Sequence, residues 1–194
     1  MDKILILAGG YSNEREISLI TAKSVINELK KNKKYKLLLI EPDGGFVKKL
    51  RKFKPSLVLN LLHGRYGEDG YIQSILESEK VSYSHSGVLS SSLAIDKEIS
   101  KKIFIKNNIL TPPYIKFSFK NNFNFKNIIK KIDKYLKFPV VVKPINEGSS
   151  VGVYICTKKN FKSNLMKLEK FKDILIEKYI PGREIQAAIL GRKK

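Results

Sequence analysis

Short aliphatic runs alternate with segments of helical periodicity in the N-terminal half of the chain, and this alternation restricts the fold more than any other feature. The runs at residues 3–8, 35–40 and 56–62 predict buried strands, and the segments at residues 14–29 and 70–79 predict helices. Strands and helices that alternate at this spacing form a parallel sheet with helices on both faces. We therefore predict an α/β fold that begins with a parallel sheet. The side of the first helix that should pack on this sheet carries Ile17, Ile20, Val25 and Leu29.

Three loops of the predicted sheet carry small or polar residues directly after a strand. They are Gly9-Gly10, His63-Gly64 and, after a short predicted strand at residues 81–84, Ser86-Gly87. Ligands of parallel α/β sheets bind at the carboxyl ends of the strands, where these three loops would meet. The sequence thus predicts a ligand site at this edge of the sheet.

The pattern changes near residue 95, and the rest of the chain predicts an α+β lobe that contains a hairpin. Its expected helices lie at residues 96–107, 125–136 and 160–168, and its expected strands at residues 114–117, 140–142, 151–156, 174–179 and 184–190. We accordingly predict one domain over residues 1–95, a second lobe over residues 96–182, and the start of a third, truncated lobe over residues 183–194.

The segment at residues 139–152 is the most informative single stretch for function. Its β-branched run delivers Lys143 to the end of a strand, and a loop follows in which Gly148 and Gly152 flank two serines. Such a loop can bring backbone N–H groups close to an anion, and a lysine adds a point charge, so the segment suits the phosphates of a nucleotide. An ordinary turn beside a solvated lysine would carry the same residues, and the segment alone does not separate the two interpretations.

Two named motifs are excluded at this segment. No Gly-x-x-x-x-Gly-Lys-Ser/Thr sequence is present, so the loop is not a P-loop. Residues 148–152 match the Gly-x-Ser-x-Gly nucleophile elbow of hydrolases, but that elbow requires a following helix and a later histidine. Here a predicted strand follows, and both histidines, His63 and His85, precede the serine.

The composition argues against several other classes of protein. The formal net charge is +20, but the lysines are scattered and only Arg15, Arg51, Arg65, Arg183 and Arg192 are arginines, whereas nucleic-acid sites concentrate arginine and aromatic residues on one face. We therefore predict no nucleic-acid partner. One cysteine and two histidines disfavour disulfides and a zinc site. Since no apolar stretch is long enough to span a bilayer, we predict no membrane partner and a reducing, cytoplasmic setting.

Four segments taken together resemble the D-alanine–D-alanine ligases of the ATP-grasp superfamily. They are Gly-Gly-Tyr-Ser-Asn-Glu-Arg-Glu-Ile-Ser at residues 9–18, Leu-His-Gly-Arg-Tyr-Gly-Glu-Asp-Gly at residues 62–70, Ser-Gly-Val at residues 86–88 with Asp96-Lys97, and residues 143–152. The resemblance runs from end to end of the chain. It implies a Rossmann-like, pre-ATP-grasp substrate-binding domain over residues 1–95 and a central ATP-grasp nucleotide-binding lobe over residues 96–182.

The resemblance also implies an activity. ATP phosphorylates the carboxylate of one D-alanine, and the amine of a second D-alanine attacks the acyl phosphate, which yields ADP and a dipeptide for peptidoglycan and the cell wall. D-Alanine, D-lactate and D-serine stay open as the second substrate. A catalytically dead nucleotide- or amino-acid-binding remnant of such a ligase is the alternative.

Glu14 and His63 are the implied substrate-binding residues, and Glu14 and Ser149 the implied catalytic residues. Glu14 would pair with the ammonium of the first D-alanine. Alternatively, Glu14 is a glutamate at the helix start that stabilises the helix through a favourable interaction with its dipole. This is the better interpretation of Glu16. His63 would lie beside the first substrate, although a histidine at a strand end is often a hydrogen-bonded turn residue.

The implied ATP-binding residues occupy three places in the sequence. Lys97 and Lys143 would hold the phosphates from two sides, the loop after Lys143 would supply N–H donors, and a later strand edge would bind adenine and ribose. The full set is Lys97, Lys143, Ser149, Ser150, Glu177, Lys178, Ile180 and Glu184.

The family's Mg²⁺ ligands and acyl-phosphate arginine are expected beyond residue 194, so we assign no metal ligand within this chain and name ATP and Mg²⁺ as cofactors. The chain is thus expected to be the N-terminal part of a ligase and inactive alone. A homodimer of the full-length enzyme and a separately encoded C-terminal portion are the protein partners that stay open.

Overall fold

The predicted parallel sheet forms in the computed structural model, which describes residues 2–188. This sheet has three parallel strands in the order β2-β1-β3, with Leu5 paired to both Leu38 and Val58. Its strands and the helices around it are β1 (Asp2–Leu7), α1 (Arg15–Leu29), β2 (Tyr35–Ile40), α2 (Phe46–Phe53), β3 (Leu57–Asn60), α3 (Tyr71–Ser78) and α4 (Val88–Ile95).

The central strand β1 is buried because helices cover both faces of the sheet. On one face, Leu5 and Leu7 pack in a cluster with residues of α2 and α3 such as Leu50 and Leu76. On the other face, Ile4 and Ile6 pack with Ala22 of α1. An unbroken aliphatic run is the sequence pattern that such two-sided burial requires, so the α/β prediction is confirmed.

Helix α1 packs through a side that includes Leu29, as predicted, but not Ile17 or Ile20. Ile17 and Ile20 are exposed, whereas Ser18 and Ala22 are buried. The hydroxyl of Ser18 donates to the Leu61 carbonyl at 2.6 Å and accepts from the Gly9 N–H at 2.8 Å. Small residues let α1 approach the loops at the carboxyl edge of the sheet closely, and a count of apolar residues could not identify that side.

The second half of the chain folds around an antiparallel sheet in the order β4-β7-β5-β6. Its core joins Val140, Ile174 and Ile176 of the sheet to Ile132 and Phe161 of the covering helices. The elements are α5 (Lys97–Lys106), β4 (Tyr114–Ser118), α6 (Phe125–Tyr135), β5 (Val140–Pro144), β6 (Tyr154–Cys156), α7 (Phe161–Met166), a 3₁₀ turn (Glu169–Phe171) and β7 (Asp173–Lys178). The predicted hairpin is β5–β6, and its loop contains the serines.

The predicted strand at residues 151–156 is shortened to β6, and two further predicted strands are not observed. Residues 81–84 form only a single bridge, Val58 to Tyr83, in place of a strand. Residues 184–188 form no strand, and Ile185 is exposed. Residues 189 and 190 of that prediction lie outside the described residues. Helices α2 and α4 had not been predicted, and the domain boundaries at residues 95 and 182 stay predictions.

None of the helices within residues 2–188 is both long enough and apolar enough to cross a membrane.

Candidate functional site

Glu14 lies where the loops of the two sheets meet. It directly precedes α1 and is 3% exposed. A Cβ atom built on Gly148 would lie 3.2 Å from Glu14 Oε2, and one built on Gly64 would lie 2.6 Å from the same oxygen. The carboxylate therefore lies between the loop after β3, which contains Gly64, and the loop after β5, which contains Gly148. These two loops are more than 80 residues apart in sequence.

The Glu14 carboxylate has no hydrogen bond or ion pair with any residue in the range 2–188. The backbone N–H of Glu14 donates to Ser12 Oγ at 3.1 Å, and the Glu14 side chain forms no capping bond to α1. A buried carboxylate is costly unless a cation or donor compensates it. The buried Glu14 carboxylate is therefore a candidate site for a cationic ligand, and its side chain does not cap α1.

His63 borders the same region from the start of the loop that follows β3. Its Nε2 lies 3.4 Å from Thr21 Oγ1, and its Nδ1 lies 3.7 Å from Glu68 Oε1. The His63 carbonyl accepts from Ser12 Oγ at 2.8 Å, which joins this loop to the residues before α1. The structure thus brings His63 and Glu14 to one edge of the parallel sheet, as predicted from the loop positions.

Two buried amides hold the loop at residues 62–70 in place, and the sequence analysis missed both of them. Asn60 Nδ2 and Gln73 Nε2 each donate to the Gly67 carbonyl at 2.8 Å, and Asn60 Oδ1 accepts from the Leu62 N–H at 3.2 Å. An asparagine inside an otherwise aliphatic run, as at Asn60, was the available signal, because a buried amide must find partners.

We expect Gly67→Ala to lower the free energy of unfolding by about 1–3 kcal/mol, the usual range for an overpacked core. A Cβ atom at residue 67 would lie 2.2 Å from Leu62 Cβ and 2.9 Å from the Leu62 carbonyl carbon, so backbone must move. Urea denaturation of the two proteins measures the change. Gly44→Ala is the matched control, because no atom lies within 4 Å of its added Cβ; equal effects at both glycines would contradict the prediction.

His85 is the second histidine near this loop, and burial makes it pH-sensitive. Burial lowers the pKa of the His85 imidazole, and the nearby His63 adds to this, while Glu68 opposes it. The unfolded chain therefore takes up a proton that the folded chain resists, so the stability present at neutral pH should fall as the pH drops below about 6.5.

Denaturation at pH 7.5 and pH 5.5 tests this, with His85→Asn as the comparison. Asparagine tolerates the left-handed φ of +83° at this position and removes the titrating group. The loss of stability on acidification should be smaller in His85→Asn than in the wild type, and an equal loss would contradict the prediction.

Lys97 and Lys143, the two predicted phosphate-binding lysines, lie close enough to influence each other. Lys97 Nζ donates to the carbonyls of Ile145, at 3.2 Å, and Glu147. Burial, and then the charge of Lys143, hold the pKa of the Lys97 ammonium below its usual value. The start of α5 and the end of β5 thus place two ammonium groups beside the loop that contains the serines.

Ser149 and Ser150 adopt left-handed backbone conformations, with φ of +42° and +61°. Their side chains are exposed, and their N–H groups form no hydrogen bond within the described chain. Turn bonds from Val151 to the Gly148 carbonyl, at 2.9 Å, and from Val153 to the Ser150 carbonyl, at 3.2 Å, shape the loop. Consecutive residues with unpaired N–H groups in such a turn can bind an anion.

Glu177 was predicted to lie at a strand edge that binds adenine and ribose, but in the structure its carboxylate is paired with two lysines. It is 7% exposed on β7, with Oε2 at 2.5 Å from Lys143 Nζ and Oε1 at 2.7 Å from Lys101 Nζ. Lys101 was not among the predicted residues. The available signal was its position one helical turn after Lys97, which places both side chains on the same side of α5.

The remaining predicted residues lie at the end of β7 and beyond it. The Lys178 N–H donates to the Pro113 carbonyl at 3.0 Å, Ile180 is exposed, and Glu184 is exposed in an irregular segment. No hydrogen bond or ion pair within residues 2–188 joins Glu184 to the other candidates. The structure therefore places Lys178 and Ile180 next to Glu177 along the chain but joins Glu184 to none of them by a hydrogen bond or ion pair.

Among the described residues, no group of three or more His, Cys, Asp or Glu side chains could hold a metal ion.

Sequence comparison shows that the chain resembles D-alanine–D-alanine ligases along nearly all of its length. Residues 103–194 match the family model described as D-ala D-ala ligase C-terminus. A D-alanine–D-alanine ligase of Pelagibacter ubique is 63% identical over 191 residues, which are 98% of this chain and 62% of the relative. One of Carboxydothermus hydrogenoformans is 42% identical, over 97% of this chain and 61% of the relative.

Solved structures of D-alanine–D-alanine ligases share the fold. That of the Bacillus anthracis protein aligns with a TM-score of 0.79 and 38% identity, over 94% of this chain and 59% of that one. The Bacillus anthracis structure complexed with ATP gives a TM-score of 0.76 and 34% identity. The predicted resemblance and the ATP-grasp fold are confirmed, and the chain spans about 60% of the length of these relatives.

Proposed function

Since this chain is related in sequence and in fold to the D-alanine–D-alanine ligases, we propose that it acts in the ATP-dependent joining of two D-alanine molecules. The observation that carries the proposal is the position of Glu14. Its buried carboxylate has no cation among the described residues and lies against the loop beside Lys97 and Lys143. A site for an ammonium group thus adjoins a site for phosphates.

The reaction has two steps that balance without a further reagent. A carboxylate oxygen of the first D-alanine attacks the γ-phosphorus of ATP, the bond to the bridging oxygen breaks, and ADP leaves. The amine of the second D-alanine then attacks the acyl phosphate, loses a proton, and displaces inorganic phosphate. In both steps negative charge moves along the phosphates, and fixed cations near them lower the barrier.

Within this scheme the ammonium groups of Lys97 and Lys143 neutralise the phosphates from two sides. The free N–H groups of Ser149 and Ser150 donate to the same phosphates. Lys97 is already held by two loop carbonyls, so it contacts ATP without losing its place on α5. Lys143 pairs with Glu177 and must exchange that partner for a phosphate oxygen.

Glu14 accepts the ammonium group of the first D-alanine, which places the substrate carboxylate toward the phosphates. His63 lies beside that substrate, and the Ser149 hydroxyl helps to close the site over it. Charge-assisted hydrogen bonds of this kind orient as well as bind, because a reacting pair must be held close and aligned.

Adenine and ribose would lie along the chain that leaves β7. The backbone of Glu177, Lys178 and Ile180 would bind adenine, and the Glu184 carboxylate would accept from the ribose hydroxyls. Ile180 lies beyond the end of β7 and is exposed, so its backbone is free to supply such a hydrogen bond, whereas the Lys178 N–H is already bonded to the Pro113 carbonyl. We also place the protein in the cytoplasm, where ATP is available and its single cysteine stays reduced.

A chimera tests the proposed function directly. In it, this chain replaces the matching 191-residue segment of the Pelagibacter ubique relative, because the chain spans 62% of that protein. We expect ATP- and D-alanine-dependent release of phosphate, together with D-alanyl-D-alanine identified by mass spectrometry. L-Alanine in place of D-alanine is the control and should give neither product.

The binding-only alternative predicts a different result. A chimera that folds and binds ATP but forms no dipeptide would overturn the proposed ligase function and support a remnant that only binds. A chimera that joins D-alanine to D-lactate or D-serine in preference would keep the reaction class and change the second substrate.

A further inference from the structure

The carboxylate of Glu177 is shared between two lysines of unequal exposure. Lys101 Nζ lies 2.7 Å from Oε1, and Lys143 Nζ lies 2.5 Å from Oε2. The side chains of Glu177 and Lys101 are 9% and 6% exposed, whereas that of Lys143 is 23% exposed. Lys143 is therefore the member of this trio with access to a ligand.

Lys101 is fixed by contacts that Lys143 lacks. Its ammonium also donates to Thr111 Oγ1 at 2.6 Å and lies 5.3 Å from the centre of the Tyr114 ring. Lys143 has no polar partner other than Glu177 within residues 2–188. Lys101 thus anchors Glu177 to α5 and β4, while Lys143 depends on one ion pair that it can leave.

We propose that Lys101 is a positioning residue for nucleotide binding, because it keeps Glu177 neutralised when Lys143 moves from Glu177 to a nucleotide phosphate. The inference rests on the proposed function, in which Lys143 binds phosphate. A buried carboxylate that loses its last cation is strongly destabilised. With Lys101 present, Lys143 can leave and Glu177 still has a partner.

Without Lys101, the Glu177 carboxylate has Lys143 alone. Transfer of Lys143 to a phosphate would then leave a buried carboxylate with no cation, so Glu177 would hold Lys143 back. Removal of the negative charge of Glu177 should cancel this effect. The two substitutions together should therefore be much less harmful than the Lys101 substitution alone.

The experiment uses the 194-residue chain and three variants: Lys101→Met, the double variant Lys101→Met/Glu177→Gln, and Lys102→Met. Lys102 is the matched control because it also belongs to a trio, in which Glu98 pairs with Lys102 at 2.8 Å and with Lys116 at 2.7 Å. Its removal takes away the same charge from the same helix but leaves the Glu177 trio intact.

Two measurements are made on each protein. Calorimetry gives the Kd for ADP, which carries phosphates, and for adenosine, which carries none. Trace acetylation with acetic anhydride, followed by mass spectrometry, gives the reactivity of Lys143 without nucleotide, since a lysine held in an ion pair reacts more slowly.

In Lys101→Met we expect the Kd for ADP to rise about tenfold, within the range for a charge-assisted contact. The Kd for adenosine should not change, and Lys143 should be acetylated more slowly. The double variant should return to within about twofold of the wild type for ADP, the usual error of additivity. Lys102→Met should behave as the wild type.

An unchanged Kd and unchanged acetylation in Lys101→Met would overturn the inference. So would a double variant that binds ADP as weakly as the single variant, because this would indicate general damage to the fold. Failure of the wild-type chain to bind ADP would contradict the proposed function instead. The acetylation rate of Lys143 would then still show whether Lys101 affects the strength of the ion pair between Glu177 and Lys143.

Discussion

Lys143→Met is expected to weaken the binding of ATP and ADP to the 194-residue chain by about 1.5–3 kcal/mol, or roughly ten- to hundredfold. Lys143 ends β5 beside the loop with free N–H groups, and its ammonium is the more accessible of the two that pair with Glu177. Adenosine binding should be unchanged, because it involves no phosphate. Isothermal titration calorimetry with the three ligands measures the difference.

The matched control for this prediction is Lys158→Met. Lys158 is an exposed lysine that pairs with Asp133 at 2.7 Å on the surface, so its loss removes the same charge from the chain. Long-range attraction of ATP to a chain of net charge +20 would make the two variants equal. Equal affinities in both variants, or an unchanged Kd in Lys143→Met, would identify Lys143 as an ordinary surface lysine.

Glu14→Gln is expected to raise the KM for D-alanine in the chimera roughly tenfold or more, since a charge-assisted hydrogen bond to the substrate ammonium is replaced by a neutral one. The melting temperature should stay the same or rise. Glutamine has nearly the same shape as glutamate. Because the Glu14 carboxylate forms no ion pair with the described residues, removal of its charge breaks no stabilising interaction in the fold. Steady-state kinetics and thermal denaturation are measured side by side.

Glu16→Gln provides the control because Glu16 is the acidic residue in the first turn of α1 and is exposed. There the helix dipole predicts a small loss of stability and no change in KM. If Glu14→Gln lowered the melting temperature and left the KM unchanged, Glu14 would be a helix-stabilising residue, and the proposed substrate site would be wrong.

Element types were largely predictable from the sequence because each element has its own period of apolar residues. The run at residues 35–40 is identical to β2 as observed, and the expected helix at residues 70–79 encloses α3. The helix α2 was missed, because its eight residues follow a Pro-Asp-Gly-Gly turn and contain mostly lysine and arginine outside the buried Phe46 and Leu50. Burial of a few residues on one side sufficed to form it, and eight residues give a weak periodic signal.

The site was predictable in part, through residues that end strands or occupy small-residue loops. Glu14, His63, Lys97 and Lys143 were named from their motifs, and the structure brings their loops to one region. Asn60, Gln73 and Lys101 were not named, because residue type and local spacing do not show which partners a buried amide or a buried lysine will meet. Their partners come from other elements, as in the bond of Gln73 to the Gly67 carbonyl.

By itself the sequence determined most of the strands and helices, the parallel sheet and the four motifs that identify the ligase relatives, because these depend on residue type and local spacing. The tertiary structure alone decided which side of α1 is buried, that Glu14 lies against Gly148, and that Lys101 and Lys143 share Glu177. These are contacts between segments far apart in the chain. Their energies depend on burial and on the distances between charges, and neither quantity is defined until the chain has folded.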